Sequence, residues 1–261
     1  MSWLRIKAVA RRHFYVLKRS PHRLFDVTVW PLVDVLLFGS IGVFVSGGGS
    51  NRAAFAYLLG GIILWHVVYQ SQIALSTGFL EETWSRNLLN LMVSPLTEAE
   101  YACGVALFGL LKLIMGVALT ALLALIAYAF NVLEAGPALV PIVAILLIVG
   151  WAIALFVIGV VFRFGSGAEA LAWGILFAVM PLSGVFYPVN ALPAVLQPVA
   201  LALPTTHAFA AMRTVLDGDP LPWSEIGIAA LSTTVLSVGA LVFVARMLAL
   251  FRRRGYISRY S

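Results

Sequence analysis

Two side chains that could carry charge lie inside long apolar stretches. Asp34 and Lys112 are ionisable residues in such surroundings, where an Asp or a Lys at the centre of a membrane costs about 2.5–3.5 kcal/mol on insertion scales. Asp34 could face a subunit interface or a transport pathway. It also follows Val27, where its apolar stretch begins, by only seven residues, so we favour a position near the inner membrane surface. We expect the Lys112 side chain to snorkel towards that surface.

The second apolar stretch carries a partly polar stripe at helical spacing. Gln70 follows His66 by four residues and precedes Thr77 by seven, with Tyr69 and Gln72 beside them. Residues at these spacings share one face of a helix. The stripe could line a transport pathway, or it could hold neighbouring spans together through hydrogen bonds, and the sequence leaves both interpretations open.

Motifs of known catalytic chemistry are missing from the sequence. No Lys follows a Gly, so there is no phosphate-binding loop of the form G-x-x-x-x-G-K-[ST]. None of the four His residues precedes a Glu, which excludes the zinc motif H-E-x-x-H, and no G-x-S-x-G elbow occurs. The single Cys103 cannot form a disulfide within the chain. We therefore predict a protein that is not an enzyme, with no metal site and no cofactor of its own.

The elements that must position these residues are transmembrane helices. The chain is 62% hydrophobic and 11% charged, whereas soluble domains are about 45–50% apolar and about 25% charged. Apolar segments of about 20 residues, enough to cross a membrane, predict six spans in one all-α domain over residues 1–261. The spans cover residues 27–46, 53–77, 101–130, 138–162, 168–187 and 225–250.

The apolar segment 188–216 is not counted as a span. Pro188, Pro193, Pro198 and Pro204 interrupt it every five or six residues, and a continuous helix exposed to lipid would not tolerate such breaks. We predict short broken helices packed at the outer face of the membrane.

Basic residues cluster at both ends of the chain. Seven of the 17 Lys and Arg residues lie between Arg5 and Arg23, and five lie between Arg246 and Arg259. With six spans, the positive-inside rule places both termini in the cytoplasm, and these charges then face lipid head groups rather than nucleic acid. Residues 1–24 predict an amphipathic helix at the inner membrane surface, because apolar residues recur at steps of three and four among the basic ones.

The cytoplasmic loop over residues 79–100 mixes acidic and apolar residues. Its pattern predicts a short amphipathic helix that ends before Pro95. The loop lacks the cationic bias that is typical of lipid-binding helices, which favours a docking site for another protein over a helix lying on the membrane. The residues that we assign to docking are Glu81, Glu82, Arg86, Leu88, Leu89 and Met92.

Two segments carry a resemblance to a known family. Residues 81–97 (EETWSRNLLNLMVSPLT) and residues 183–189 (SGVFYPV), the latter followed by the spaced prolines and by residues 205–213 (TTHAFAAMR), resemble the ABC-type export permeases of the type 2 branch. Members of that branch export drugs, polysaccharides and lipo-oligosaccharides. The resemblance extends over nearly the whole chain.

The resemblance implies a transporter subunit in a bacterial cytoplasmic membrane. Such permeases dimerise, and each copy docks a soluble ATPase subunit that binds ATP and Mg²⁺. The loop residues would couple to that ATPase, and the first, second and fifth spans would line the exit pathway, with candidate residues Asp34, His66, Tyr69 and Gln70. Phe186 and Tyr187 would lie near an outer gate, although interfacial anchoring also explains aromatic residues there. The alternative function is a multi-span scaffold or channel-like subunit that is not coupled to ATP.

Overall fold

The computed structural model describes residues 1–47, 52–84, 94–165, 167 and 170–253. Every regular element in this part of the chain is helical, which confirms the all-α prediction for these residues. Two 3-10 helices occupy Val132–Ala138 and Val189–Ala191. The α-helices are α1 (Trp3–Arg19), α2 (Pro21–Val45), α3 (Arg52–Trp84), α4 (Glu98–Tyr128), α5 (Leu139–Phe164), α6 (Ala170–Leu182), α7 (Gln197–Leu201), α8 (Pro204–Leu216) and α9 (Trp223–Arg253).

Five helical segments among the described residues are long and apolar enough to cross a membrane. They are Arg23–Val45, Arg52–Leu80, Ala99–Tyr128, Val132–Phe164 and Trp223–Phe251. The predicted span 168–187 is instead α6, whose 13 residues extend for about 20 Å against a hydrocarbon core of about 30 Å. The chain turns soon afterwards at Gly184, which has a φ of 59°. The count of six full spans is therefore not confirmed.

Helices α3 and α5 form the centre of the bundle. In their apolar windows 61% and 67% of the residues are buried, against 17–28% for the other three candidate spans. Helix α3 packs against α2, α4, α5, α6 and α8, and α5 packs against α9. Side chains at the centre are almost inaccessible, among them Leu59, Ile63, Leu146 and Phe209. The remaining spans leave wide apolar faces, which in a membrane contact lipid or another subunit.

Small residues allow the two central helices to approach closely. A Cβ atom added to Gly150 of α5 would overlap the Ser71 hydroxyl and lie 2.8 Å from the backbone oxygen of Val68, both on α3. Without a hydrophobic driving force between helices in lipid, close contact of this kind is a main source of helix association. The α3–α5 contact therefore requires glycine at position 150.

The amphipathic helix α1 lies against the start of α4. Its buried side chains include Ile6, Val9 and Leu17, whereas the apolar side chains of Trp3 and Phe14 are 63% and 41% exposed. Only part of the apolar stripe therefore remains available to lipid. A helix over these residues is confirmed, while its position at the membrane surface stays a prediction.

The broken segment 188–216 forms the 3-10 helix Val189–Ala191, α7 and α8. Helix α8 packs against the first part of α9, where His207 Nδ1 lies 2.7 Å from Glu225 Oε2. Asp217, just after α8, accepts a hydrogen bond from the hydroxyl of Tyr57 in the first part of α3. The segment thus lies at the end of the bundle where α3 and α9 begin, opposite to the end where α1 meets α4.

Candidate functional site

An ion-pair contact joins α2 to α3 inside the bundle. His66 Nε2 lies 3.1 Å from Asp34 Oδ2, and the two side chains are 2% and 28% exposed. Because a carboxylate only accepts hydrogen bonds, Nε2 carries the hydrogen in this contact. Asp34 is close to the middle of α2, which begins at Pro21. Helix α2 thus starts six residues before the predicted span, and the expected position of Asp34 near the inner membrane surface stays a prediction.

The polar residues of the stripe on α3 face different neighbouring helices. The Tyr69 ring meets the edge of the His66 ring at a centroid distance of 5.8 Å and lies 6.3 Å from the ring of Trp173 on α6. Gln70 points instead towards α4, where a Cβ atom on Gly116 would lie 3.2 Å from its side chain. The structure thus places His66 and Tyr69 together with Asp34, while Gln70 faces another helix.

Several buried polar atoms of the stripe make no hydrogen bond to the residues that the structure describes. They are His66 Nδ1, both polar atoms of the Gln70 amide and Gln72 Oε1. An unsatisfied buried polar group costs about 1–3 kcal/mol, so such groups are rare unless they have a purpose. Their concentration in the middle of α3 marks this part of the bundle as a candidate functional site.

An aromatic contact continues the site along α2. Phe38 follows Asp34 by one helical turn and stacks on Phe186, with ring centroids 4.2 Å apart and an angle of 20° between the ring planes. Phe186 belongs to the turn of residues 183–187 that follows α6. The Tyr187 hydroxyl donates to the backbone oxygen of Pro181 at 2.8 Å. The structure therefore brings Phe186 to the same face of α2 as the Asp34–His66 contact, whereas Tyr187 closes the turn on itself.

Helix α8 holds this turn from the other side. The Ser183 and Thr205 hydroxyl oxygens are 2.6 Å apart, and Arg213 Nη1 donates to the backbone oxygen of Gly184 at 2.6 Å. Arg213 is 8% exposed. Burial lowers the pKa of its guanidinium from the ordinary value, and the nearby Tyr57 and Asp217 side chains oppose that change. A buried charge on a backbone oxygen fixes the position of the turn, and hence of Phe186.

The predicted docking residues lie largely outside the described part of the chain. Arg86, Leu88, Leu89 and Met92 belong to residues 85–93, which the structure does not describe. Glu81 and Glu82 lie in the last turns of α3, but their side chains are not described. Helix α3 extends to Trp84 and α4 begins at Glu98, both inside the bounds predicted for the loop.

Sequence reasoning missed two aromatic members of the site, Phe38 and Trp173. A signal for Phe38 existed, because it follows Asp34 by four residues and so shares its face of α2. Trp173 had no such signal, since only the packing of α6 against α3 brings it to Tyr69. Arg213 ends the motif of residues 205–213, but the sequence analysis gave it no role.

With the fold and the site in place, the chain can be compared with known families. Residues 5–216 match the family described as ABC-2 type transporter. The chain belongs to this family. The resemblance inferred from residues 81–97 and 183–189 is thereby confirmed. No curated protein matches the chain.

An ABC-2 type subunit is a multi-pass membrane permease and is not itself catalytic. Members of the family normally pair with an ABC ATPase subunit. The candidate site accords with this role, because a buried ion-pair contact, unsatisfied polar groups and a braced aromatic turn suit conformational change rather than bond chemistry.

Proposed function

We propose that this permease exports an amphipathic, lipid-linked, glycan or drug-like substrate by alternating access, driven by a separate ATPase subunit that binds ATP and Mg²⁺. Two copies of the chain form the transmembrane unit, in a bacterial cytoplasmic membrane with both termini in the cytoplasm. The observation that carries this proposal is the cluster of Asp34, His66 and Phe186 between α2, α3 and the turn after α6. The polar side chains of this cluster can change their hydrogen-bond partners when the helices move.

The pathway role of the cluster follows from its composition. Asp34 and His66 provide charge and hydrogen bonding within apolar spans, where such groups are costly and mark substrate routes. The stacked rings of Phe38 and Phe186 close the same face of α2 one turn further on. We assign Phe186 to an outer gate, with Tyr187 securing the turn that carries it. Tyr69 and Gln70 extend the polar surface towards α6 and α4.

The docking role of the loop is supported by contacts at its far end. Arg5 Nη1 donates to the backbone oxygen of Pro95 at 2.6 Å, and the Ser2 backbone nitrogen donates to Glu100 Oε1 at 2.6 Å. The Thr97 hydroxyl and the Glu100 carboxylate form a capping box at the start of α4. A displacement of the loop is therefore transmitted to both α1 and α4.

The experiment that tests the proposal uses the complex of the permease with its ATPase subunit in lipid vesicles. Leu88→Asp places a charge on the apolar part of the proposed docking surface, so we expect loss of permease-stimulated ATP hydrolysis and of transport. Val195→Asp is the matched control, because Val195 is 85% exposed in the turn before α7 and lies outside the five candidate spans. The control should leave both activities unchanged.

Two results would contradict the proposal. Normal stimulation and transport in Leu88→Asp would remove the docking assignment. Substrate movement through the wild-type permease without ATP or an ATPase subunit would favour the uncoupled, channel-like alternative.

A further inference from the structure

The side chain of His207 joins three helices at the end of the bundle where α3 and α9 begin. Its Nδ1 lies 2.7 Å from Glu225 Oε2 in the first turn of α9, and its Nε2 lies 3.0 Å from the backbone oxygen of Leu201, the last residue of α7. We call His207, Glu225 and Leu201 the His207 bridge. The His207 and Glu225 side chains are 12% and 36% exposed, so water can still exchange protons with the bridge.

Both contacts of the imidazole ring form together only when the bridge holds an extra proton. A backbone oxygen only accepts hydrogen bonds, so Nε2 carries the hydrogen that it donates to Leu201. A neutral imidazole has one such hydrogen, which leaves Nδ1 as an acceptor that faces the Glu225 carboxylate at 2.7 Å. A proton between Nδ1 and the carboxylate turns this contact into a hydrogen bond. Loss of that proton therefore breaks the contact with Glu225 or, if the hydrogen moves to Nδ1, the contact with Leu201.

The bridge adjoins the contacts that hold the turn after α6. Three consecutive residues at the start of α8 bind different neighbours. The Thr205 hydroxyl oxygen lies 2.6 Å from that of Ser183 in the turn, the Thr206 hydroxyl donates to a backbone oxygen of α7 at 2.6 Å, and His207 makes the bridge. The same turn carries Phe186, which stacks on α2. The position of the first turn of α8 therefore affects the position of Phe186.

The charged and titratable groups around this end of the bundle belong mostly to residue types that keep their charge near neutral pH. Carboxyl groups ordinarily titrate near about pH 4, tyrosine near about 10 and arginine above about 12, whereas histidine changes its charge between about pH 5 and 8. His66 of α3 is of the same type, but it lies deeper and faces α2. Among the described residues α5 and α7 contribute no such group at this end, and the groups on the other elements packed against α8, or next to it in the chain, are Arg52, Tyr57, Glu134, Arg213, Asp217, Asp219 and Glu225.

We propose that the His207 bridge is a proton-binding site that fixes the turn carrying Phe186 at low pH and releases it as the pH rises. The protonated bridge joins α7, α8 and α9, and its deprotonation frees the first turn of α8 to move together with Thr205 and the turn. In the proposed orientation this end of the bundle faces the outside of the cell, so the bridge responds to external pH. Its effect on an outer gate rests on the proposed function, whereas its response to pH does not.

Amide hydrogen exchange of the purified permease in neutral detergent, without the ATPase subunit, tests the proposal. Exchange is followed by mass spectrometry at about pH 5.5 and about pH 8, on either side of the range in which histidine titrates. The measured rates are divided by the chemical exchange rates at each pH, which gives the protection of each segment. We expect the protection of α8 and of residues 183–187 to fall about tenfold from the lower to the higher pH, because one charge-assisted hydrogen bond is lost.

Two neutral variants separate the proton from the packing of the bridge. In Glu225→Gln the new amide can donate to Nδ1 while Nε2 still donates to Leu201, so the protection should be high and equal at both pH values. In His207→Gln nothing in the bridge binds a proton near neutral pH, so the protection should again be equal at both, although lower. Asp219→Asn is the matched control, because Asp219 is exposed beyond the end of α8, and it should keep the tenfold change. All three variants retain His66.

Three outcomes would overturn the proposal. They are equal protection of wild-type α8 at the two pH values, a tenfold change that persists in Glu225→Gln, and a change in α8 that residues 183–187 do not share. Glu225→Gln decides the matter should His207→Gln fail to fold, since it keeps every contact of the bridge. Failure of the export function would appear elsewhere, as normal ATPase stimulation and transport in Leu88→Asp, and would leave the response of the bridge to pH unchanged.

Discussion

The contact between Asp34 and His66 can be tested by removing its members singly and together. Asp34→Leu takes away the acceptor that His66 Nε2 faces at 3.1 Å, and His66→Leu takes away the donor. The double variant replaces both by apolar side chains of similar size. Each single variant leaves one polar side chain without its partner, whereas the double variant leaves no unpaired polar side chain. The losses of stability in the two single variants should therefore not add up to the loss in the double variant.

The expected magnitudes follow from the burial of each side chain. His66 is 2% exposed and its Nδ1 has no partner among the described residues, so Asp34→Leu leaves both ring nitrogens unsatisfied, at about 2–3 kcal/mol. Asp34 is 28% exposed, so His66→Leu costs less, about 1 kcal/mol. The double variant should lie within about 1 kcal/mol of the wild type, because both polar groups are gone. The coupling free energy between the two residues is then about 2 kcal/mol.

The measurement is reversible unfolding in mixed micelles, followed by helical circular dichroism, with transport measured on the same variants in vesicles. Asp34→Asn is the control, because its side-chain oxygen can still accept from His66. We expect the double variant to be stable but defective in transport, since the polar groups that would meet the substrate are missing. The control should keep most of the stability.

The reasoning is refuted if the loss of stability in the double variant equals the sum of the two single losses within about 0.5 kcal/mol. The pair would then not be coupled. A stable double variant with full transport would show that the Asp34–His66 contact has only a structural role and does not belong to the proposed pathway.

Two further predictions concern helix packing. Gly150→Ala should lower the free energy of unfolding by about 1–3 kcal/mol, because the new methyl group overlaps Ser71. Gly227→Ala should leave the free energy of unfolding unchanged, because the space around Gly227 is open. Unfolding curves of the two variants provide the comparison. Glu100→Gln weakens the acceptor for the Ser2 backbone nitrogen, at 2.6 Å, and for Arg5 Nη1, at 3.3 Å. Limited proteolysis should therefore cut within α1 sooner than in the wild type. An unchanged rate of cleavage would show that apolar packing alone holds α1.

Much of the helical architecture could be predicted from the sequence, because long apolar stretches in lipid must satisfy their own backbone hydrogen bonds. The predicted spans 53–77, 101–130 and 225–250 correspond to α3, α4 and α9 with shifts of a few residues at most ends. Helix ends were less predictable. Helix α2 begins at Pro21, six residues before the predicted span, because proline is well suited to the first turn of a helix.

The candidate site was predictable in composition but not in arrangement. Helical spacing grouped His66 with Gln70, yet which neighbouring helix each side chain meets depends on how α2 and α4 pack around α3. The short length of α6 was also not evident, since its apolar residues continue past Leu182 into a turn that Arg213 and Thr205 hold from a distant helix.

The sequence by itself determined that this protein is a helical membrane permease, because its apolar periodicity, its spaced prolines and the motif around 183–189 are local properties of the chain. Only the tertiary structure decided that Asp34 meets His66 and that Phe38 stacks on Phe186. The physical reason is that helix packing joins side chains far apart in the chain, and no pattern within one helix specifies its partner.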